Sequence, residues 1–158
     1  LDAYALLYLM EKENLSIGEA RSILMSKGGL YGISGASGDF RDIEEAMDRG
    51  DVRAELAFKT FAYNVKRYIG EYHAILNGAE CIVFTAGAGQ FSPRLRKEIV
   101  KEMDNLGIVL DEERNTANPA QGVISCDGSK VTLAIIPTNE EFIVADEVMQ
   151  LLGRRTAH

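Results

Sequence analysis

Three short segments of the chain carry the residue types that could bind a ligand or take part in a reaction. They span residues 35–42, 85–92 and 136–141, and each lies where a predicted helix or strand begins or ends. Binding residues concentrate in such connecting segments, because rigid elements position them. The first two segments are rich in glycine and the third contains two adjacent carboxylates, so nucleotide or phosphate binding and magnesium binding are the chemistries to consider.

The segment 85–92 follows a predicted buried strand and leads into a helix. Gly87 and Gly89 carry no Cβ, so the backbone there could lie against a flat ligand or a phosphate, and the helix start would offer free N–H groups. No Gly-Lys-Ser/Thr follows, which excludes a P-loop, and the third glycine of the dinucleotide fingerprint is missing. Spacing alone therefore leaves open a nucleotide site and an ordinary turn. Segment 35–42 likewise could be a ligand loop or a plain surface loop.

Two carboxylates, Glu140 and Glu141, lie in the first turn of the last predicted helix. The helix dipole favours an anion there by roughly 0.3–1 kcal/mol, which explains both residues without any function. The alternative is a ligand for Mg²⁺, directly or through water, because this hard cation selects oxygen donors.

Hydrophobic periodicity predicts the elements that position these segments. Ser16 and Glu19 have the spacing of a capping box, and apolar residues recur every three or four positions over residues 51–77, which indicates one long helix. We predict its aromatic stripe to be core or a dimer contact. Helices are predicted over residues 4–12, 17–27, 42–49, 51–77, 93–106 and 140–152. Strands are predicted over residues 81–86, 122–126 and 131–136, with 108–110 as a further candidate. Irregular structure is predicted over residues 30–42 and 111–122. Strands alternate with helices in the second half, so the predicted fold class is α/β.

Composition excludes several classes of protein. The 158 residues carry a net charge of −7 and 46% of them are hydrophobic, as in one globular domain or part of one. The acidic balance argues against nucleic-acid binding, and the apolar runs are far shorter than a membrane span. Two cysteines and two histidines are too few for a disulfide scaffold or a multi-histidine metal site. The chain begins with Leu1 in a helical pattern, without a signal peptide, so we expect a piece of a longer protein.

Four motifs occur in order along the chain. Residues 9–15 read LMEKENL, residues 32–42 read GISGASGDFRD, residues 82–89 read IVFTAGAG and residues 136–141 read IPTNEE. Together they run through almost the whole chain and are far more specific than any one of them. With these motifs the chain resembles the acetate kinase family, within the wider group of acetate, propionate and butyrate kinases.

The resemblance implies an actin, Hsp70 and sugar kinase type of fold, which is ribonuclease H-like, with a mixed sheet flanked by helices. It implies an enzyme that reversibly transfers the terminal phosphoryl group of ATP to acetate or another short-chain carboxylate. The products would be an acyl phosphate and ADP, and Mg²⁺ would be required. It also implies a cytoplasmic homodimer that meets through its C-terminal domains, without nucleic-acid or membrane partners.

The resemblance assigns site residues by motif. Asp39, Phe40 and Arg41 would line the adenosine pocket, and Glu140 would serve the metal. The opposite wall would be formed by five consecutive residues: Gly87, Ala88, Gly89, Gln90 and Phe91. Arg41 could stack on the base, or pair with Asp39 and hold its loop. Gln90 and Phe91 depart from the family pattern, which has Glu-Asn there.

Residues 1–158 would then be a single incomplete C-terminal domain, with the N-terminal domain and its catalytic residues absent. We expect this chain alone to be inactive, since a phosphoryl-transfer site needs both walls of its cleft. Two alternatives remain open: a propionate or butyrate kinase, and a non-catalytic module for nucleotide binding or dimerisation.

Overall fold

The computed structural model describes residues 2–117, 119–138 and 140–155, without the side chains of 140 and 153–155. The chain divides into two structural units, the first ending at Glu71 and the second beginning at Tyr72. None of the helices within the described ranges is long and apolar enough to cross a membrane. The prediction of one incomplete C-terminal domain stays a prediction.

The first unit is built from helices where it is described. They are α1 Ala3–Lys12, α2 Ile17–Ser26, α3 Gly29–Ser34, α4 Phe40–Asp48 and α5 Val52–Ile75, of which α5 continues into the second unit. The capping box of α2 is confirmed, because the Ser16 hydroxyl accepts from the Glu19 N–H and the Glu19 carboxylate accepts from the Ser16 N–H. The long helix is confirmed as well, with Phe58 and three alanines buried along one face.

The prediction that residues 30–42 are irregular is wrong at both ends. Gly29–Ser34 form α3, and α4 begins at Phe40, so the loop spans only residues 35–39. The glycine content misled the prediction, because one of these glycines ends a helix. Gly35 has a φ of 72° and donates its N–H to the Tyr31 carbonyl, which is the left-handed C-cap that glycine favours.

The second unit contains a small mixed sheet with helices around it. Its elements are β1 Cys81–Phe84, α6 Ala86–Phe91, α7 Pro93–Val100, a 3₁₀ turn at Asp104–Leu106, α8 Glu112–Thr116, β2 Gly122–Val123, β3 Thr132–Ile135 and α9 Glu140–Arg155. The strand order is β1-β3-β2, with β1 parallel and β2 antiparallel to β3. The predicted α/β class and mixed sheet are confirmed.

Several boundaries in this unit differ from the predicted ones. The helix from residue 93 ends at Val100 because Lys101 leaves the helical region with a ψ of 133°, and Glu102 after it has a left-handed φ of 58°. Residues 111–122 include the short helix α8, which the polar composition hid. The candidate strand at 108–110 amounts to one bridge between Leu110 and Ser125. In β1 only Phe84 is buried, because side chains alternate along a strand and the face that carries Cys81 and Val83 is exposed.

Candidate functional site

The loop at residues 35–39 is held by its own side chains. The Ser37 hydroxyl donates to Asp42 Oδ2 at 2.6 Å and accepts the Asp39 N–H at 3.0 Å. The Ser34 hydroxyl donates to the Ser37 carbonyl at 3.2 Å. These local bonds are the pattern that lets serine and aspartate fix turns, and they set the direction in which the chain enters α4.

Asp39 and Arg41 form a bidentate pair at the start of α4. Asp39 Oδ1 accepts from the backbone N–H of Arg41 at 2.9 Å and from its Nε at 3.2 Å, while Oδ2 accepts from Nη2 at 2.8 Å. The side chain of Asp39 is 43% exposed and that of Arg41 is 85% exposed. Of the two roles considered for Arg41, the structure contains the pair with Asp39; stacking on a base stays a prediction.

This pair changes the protonation of Asp39. The guanidinium of Arg41 lowers the pKa of Asp39 to about 2, chiefly by side-chain hydrogen bonding and then by the backbone N–H of Arg41. The same contact raises the pKa of Arg41. Asp39 is therefore an anion at neutral pH and keeps the guanidinium fixed at the loop.

We predict that Arg41→Gln raises the pKa of Asp39 from about 2 towards its ordinary value of 3.8. The backbone N–H of residue 41 still donates to Asp39 in the variant, so the pKa should stop short of that value. Because the native pKa is depressed, the pair stabilises the fold above the unfolded-state pKa, and this contribution disappears as the pH falls through about 2. Carboxyl ¹³C NMR titration measures it, and an unchanged pKa in the variant would contradict the pair.

Phe40 lies between these two residues in sequence and packs into the first unit. Its ring centroid lies 5.4 Å from that of Phe58 and 5.1 Å from that of Phe61, both on α5. Offset and edge-on ring pairs at such distances are favourable. Phe40 therefore attaches the start of α4 to α5 and thereby positions Asp39 and Arg41.

The glycine-rich segment of the second unit is a helix and not the predicted turn. Ala86–Phe91 form α6, whose first residue Ala86 has a left-handed φ of 56°. A Cβ on Gly89 would lie 3.7 Å from the backbone carbon of Phe84, so α6 passes close to the end of β1. The predicted cap is confirmed after it, with the Ser92 hydroxyl accepting from the Leu95 N–H at 3.0 Å and Pro93 at the first position of α7.

The second and third sequence segments meet at one cavity. It has a volume of about 470 Å³ and is lined by Ala86, Gly87, Gln90 and Phe91 from one segment and by Pro137, Thr138 and Glu141 from the other. Phe91 is 67% exposed beside it. Ala88 and Gly89 are in α6 but do not line the cavity. The volume lies within the range of small-molecule sites.

Comparison with known proteins identifies the family of this chain. The model of the Acetokinase family matches residues 1–146 of the chain. The chain belongs to the acetokinase family.

Individual members of the acetokinase family are similar to this chain over most of its length. The acetate kinase of Dictyoglomus thermophilum is 50% identical over 147 residues, which cover 93% of this chain and 37% of that protein. The acetate kinase of Methanosarcina thermophila is 46% identical over 145 residues, covering 92% and 36%. The chain thus spans little more than a third of the length of these curated relatives.

Solved structures of the family share the fold. The crystal structure of acetate kinase from Porphyromonas gingivalis superposes with a TM-score of 0.87 at 37% identity, covering 96% of this chain and 38% of that one. A propionate kinase from Francisella tularensis superposes with a TM-score of 0.83 at 29% identity, covering 93% and 37%. The predicted family and its actin-like fold are confirmed.

The magnesium assignment of this acetokinase chain falls on Glu140. Its side chain, like the whole of Asn139, lies outside the described residues, so the assignment stays a prediction. Its neighbour Glu141 does line the cavity, beside the hydroxyl-bearing Thr138. Among the described residues no group of three or more His, Cys, Asp or Glu side chains is placed to hold a metal.

Arg96, which the sequence analysis missed, supports α6 by hydrogen bonds to its backbone. Arg96 of α7 is 0% exposed, and its guanidinium donates to the carbonyls of Gly89 and Gln90 and to both oxygens of Asn115. Burial lowers the pKa of the Arg96 guanidinium. Its position next to Leu95, within an otherwise apolar face, was the available signal.

The predicted site residues therefore fall into two groups. The segment at α6 and the segment at the start of α9 line one cavity of the second unit. Asp39, Phe40 and Arg41 belong to the first unit.

Proposed function

We propose that this chain is the nucleotide-binding part of an acetate kinase-like phosphotransferase. The whole enzyme transfers the terminal phosphoryl group of ATP to acetate, giving acetyl phosphate and ADP, and runs in reverse. The observation that carries the proposal is the match of the Acetokinase family to residues 1–146, together with the cavity shared by two of the family motifs. The chain would be part of the C-terminal domain of a cytoplasmic homodimer.

The geometry suits a nucleotide in two respects. Phosphoryl transfer depends mainly on positioning and on stabilising charge, so the protein must supply fixed cations and backbone surfaces rather than covalent chemistry. Arg41 presents an exposed planar guanidinium held at one edge by Asp39, which leaves its face free for a base. Gly87 gives the cavity a wall without a side chain.

Mg²⁺ fits the donors at the cavity, where Thr138 and Glu141 supply oxygen atoms and Glu140 begins the adjoining helix. When bound, the ion would neutralise phosphate charge. Glu140 is the residue we propose to hold it.

Acetate is the proposed acceptor because the curated relatives at 43–50% identity are acetate kinases. The likeness to a solved propionate kinase, at a TM-score of 0.83, makes propionate the second candidate. Acyl chain length would be determined outside this chain, so assays of the whole enzyme with both acids decide between them.

Calorimetric titration of the purified chain with Mg-ADP tests the nucleotide half. We expect saturable binding that Asp39→Ala/Arg41→Ala weakens by at least about tenfold, or about 1.4 kcal/mol. The matched control is Glu55→Ala/Lys59→Ala, which removes an exposed ion pair of the same zero net charge from α5. A folded chain that does not bind Mg-ADP, or a site variant that binds like the control, would refute the proposal. With ATP, Mg²⁺ and acetate the chain alone should form no acetyl phosphate.

A further inference from the structure

A buried side-chain pair lies behind α6, on elements that none of the four family motifs includes. Arg96 belongs to α7 and Asn115 to α8, and both are among the most deeply buried polar residues described. We propose that Arg96 and Asn115 are positioning residues that fix α6 as a wall of the 470 Å³ cavity and so set the affinity for a nucleoside diphosphate. This inference rests on the proposed nucleotide-binding function.

The hydrogen bonds of the pair connect three elements. Arg96 Nη1 donates to the carbonyl oxygens of Gly89 at 3.0 Å and Gln90 at 2.8 Å. Its Nε donates to Asn115 Oδ1 at 2.8 Å and its Nη2 to the Asn115 carbonyl at 3.2 Å. Asn115 Nδ2 in turn donates to the Pro93 carbonyl at 2.9 Å, at the start of α7.

The chemistry requires a guanidinium at this point. The carbonyls of Gly89 and Gln90 lie in the last turn of α6, where helix carbonyls lack partners within the helix and a cation is favourable. Arg96 can satisfy them and Asn115 together because its planar fork presents several N–H groups in fixed directions. Lysine has one ammonium on a flexible stem and cannot reach both elements in the same way.

α6 depends on this support because it is weak by itself. It has only six residues, two of them glycine, and helices of that length and composition are not stable in isolation. Gly87, Gln90 and Phe91 line the cavity from this segment, so their positions follow from whatever holds its backbone. Arg96 therefore contributes to the cavity without touching it.

The bonds from Arg96 go to backbone carbonyls on α6, so they do not depend on the side chains at positions 90 and 91. Those are the two positions where this chain departs from the family pattern. The support that Arg96 gives to α6 is therefore independent of which side chains occupy positions 90 and 91.

Arg96→Lys tests the inference, with Arg94→Lys as the control because it makes the same change at an exposed position of the same helix. We expect Arg96→Lys to weaken Mg-ADP binding by at least about tenfold and Arg94→Lys to change it less than about twofold. Hydrogen exchange should accelerate at the amide of Ser92, which donates to Ala88, and stay unchanged at that of Ile124, which donates to Leu133 in the sheet.

A second pair of variants covers the case in which Arg96→Lys does not fold. Asn115→Asp keeps an oxygen acceptor for Arg96 but loses the Nδ2 donor to the Pro93 carbonyl, whereas Asn115→Leu removes both the acceptor and the donor. We expect the aspartate variant to bind Mg-ADP more tightly than the leucine variant, because only the aspartate still accepts from Arg96. Equal affinities in that pair, or exchange that accelerates equally in α6 and the sheet, would overturn it in favour of a purely structural role.

The two proposals fail in different ways. If wild type binds Mg-ADP and Arg96→Lys binds equally well, the positioning role is overturned and the nucleotide-binding function stands. If folded wild type does not bind Mg-ADP at all, the proposed function is refuted and the role of Arg96 in setting nucleotide affinity is refuted with it.

Discussion

Replacing Ile135 with alanine should lower the free energy of unfolding of the second unit by about 2–5 kcal/mol. Ile135 is 0% exposed and lies in β3, the middle strand, opposite Phe84 of β1 and Gly122 of β2. Truncation removes buried methyl groups and leaves a cavity that the two neighbouring strands cannot close. A loss of this size is a large part of the stability of a small domain.

Ile136 provides the matched control, because the same substitution one residue later meets a different environment. Ile136 is 50% exposed, and its N–H bond to the Phe84 carbonyl at 3.0 Å survives in the alanine variant. We expect Ile136→Ala to cost about 1 kcal/mol or less.

Hydrogen exchange at the amides of Ile124 and Ile136 measures both variants, because it reports on the second unit even if the two units unfold separately. Equal losses of unfolding free energy from the two substitutions would mean that the side chain of Ile135 is not packed in the core.

Elements with strong local signals were predictable from the sequence. The spacing of Ser16 and Glu19 predicts a capping box because both of its hydrogen bonds form within four residues. The repeat of apolar residues along α5 predicts a long helix because burial of one face depends on period alone. β1 and β3 followed from apolar runs, although how deeply β1 is buried depends on its place in the sheet, which no local pattern contains.

The short helices were not predictable, because their stability comes from elsewhere in the fold. α3 contains two glycines and ends at the left-handed Gly35. α6 is held by Arg96, which donates to the carbonyls of Gly89 and Gln90, seven and six positions earlier in the chain. α8 lies in a polar stretch whose Asn115 is buried against Arg96, from 19 residues away. Propensity alone assigns all three to loops, and tertiary hydrogen bonds decide otherwise.

The candidate site shows the same division. Family motifs indicate Asp39, Arg41 and the α6 segment, and the local spacing of Asp39 and Arg41 already allows their ion pair. The burial of Arg96 was harder to predict, because its position on the apolar face of α7 is a weak signal and a charged residue there usually points to solvent. Phe40 is intermediate: its motif suggests a ligand contact, whereas its ring packs against those of Phe58 and Phe61.

Phe58→Ala should therefore destabilise the first unit by about 3–5 kcal/mol, the usual cost of emptying a buried aromatic site. Phe58 is 2% exposed on the buried face of α5 and supports the ring of Phe40. The cavity would lie beneath the start of α4, so the hydrogen bonds of α4 should open more often along with those of α5. Hydrogen exchange at the amides of Ile43 and Gly50 reports this, because both donate to carbonyls of the same region.

Phe61→Ala is the control that separates burial from ring contact. Phe61 also touches Phe40, at 5.1 Å, but is 37% exposed, so its loss should cost only about 1–2 kcal/mol. In this milder variant Asp39 should keep its pKa near 2, since the bonds to Arg41 form within α4 itself. Equal destabilisation by the two variants would contradict the packing described for α5. If the pKa of Asp39 in Phe61→Ala instead rose to its ordinary value of 3.8, the Asp39–Arg41 pair would depend on how the Phe40 ring packs.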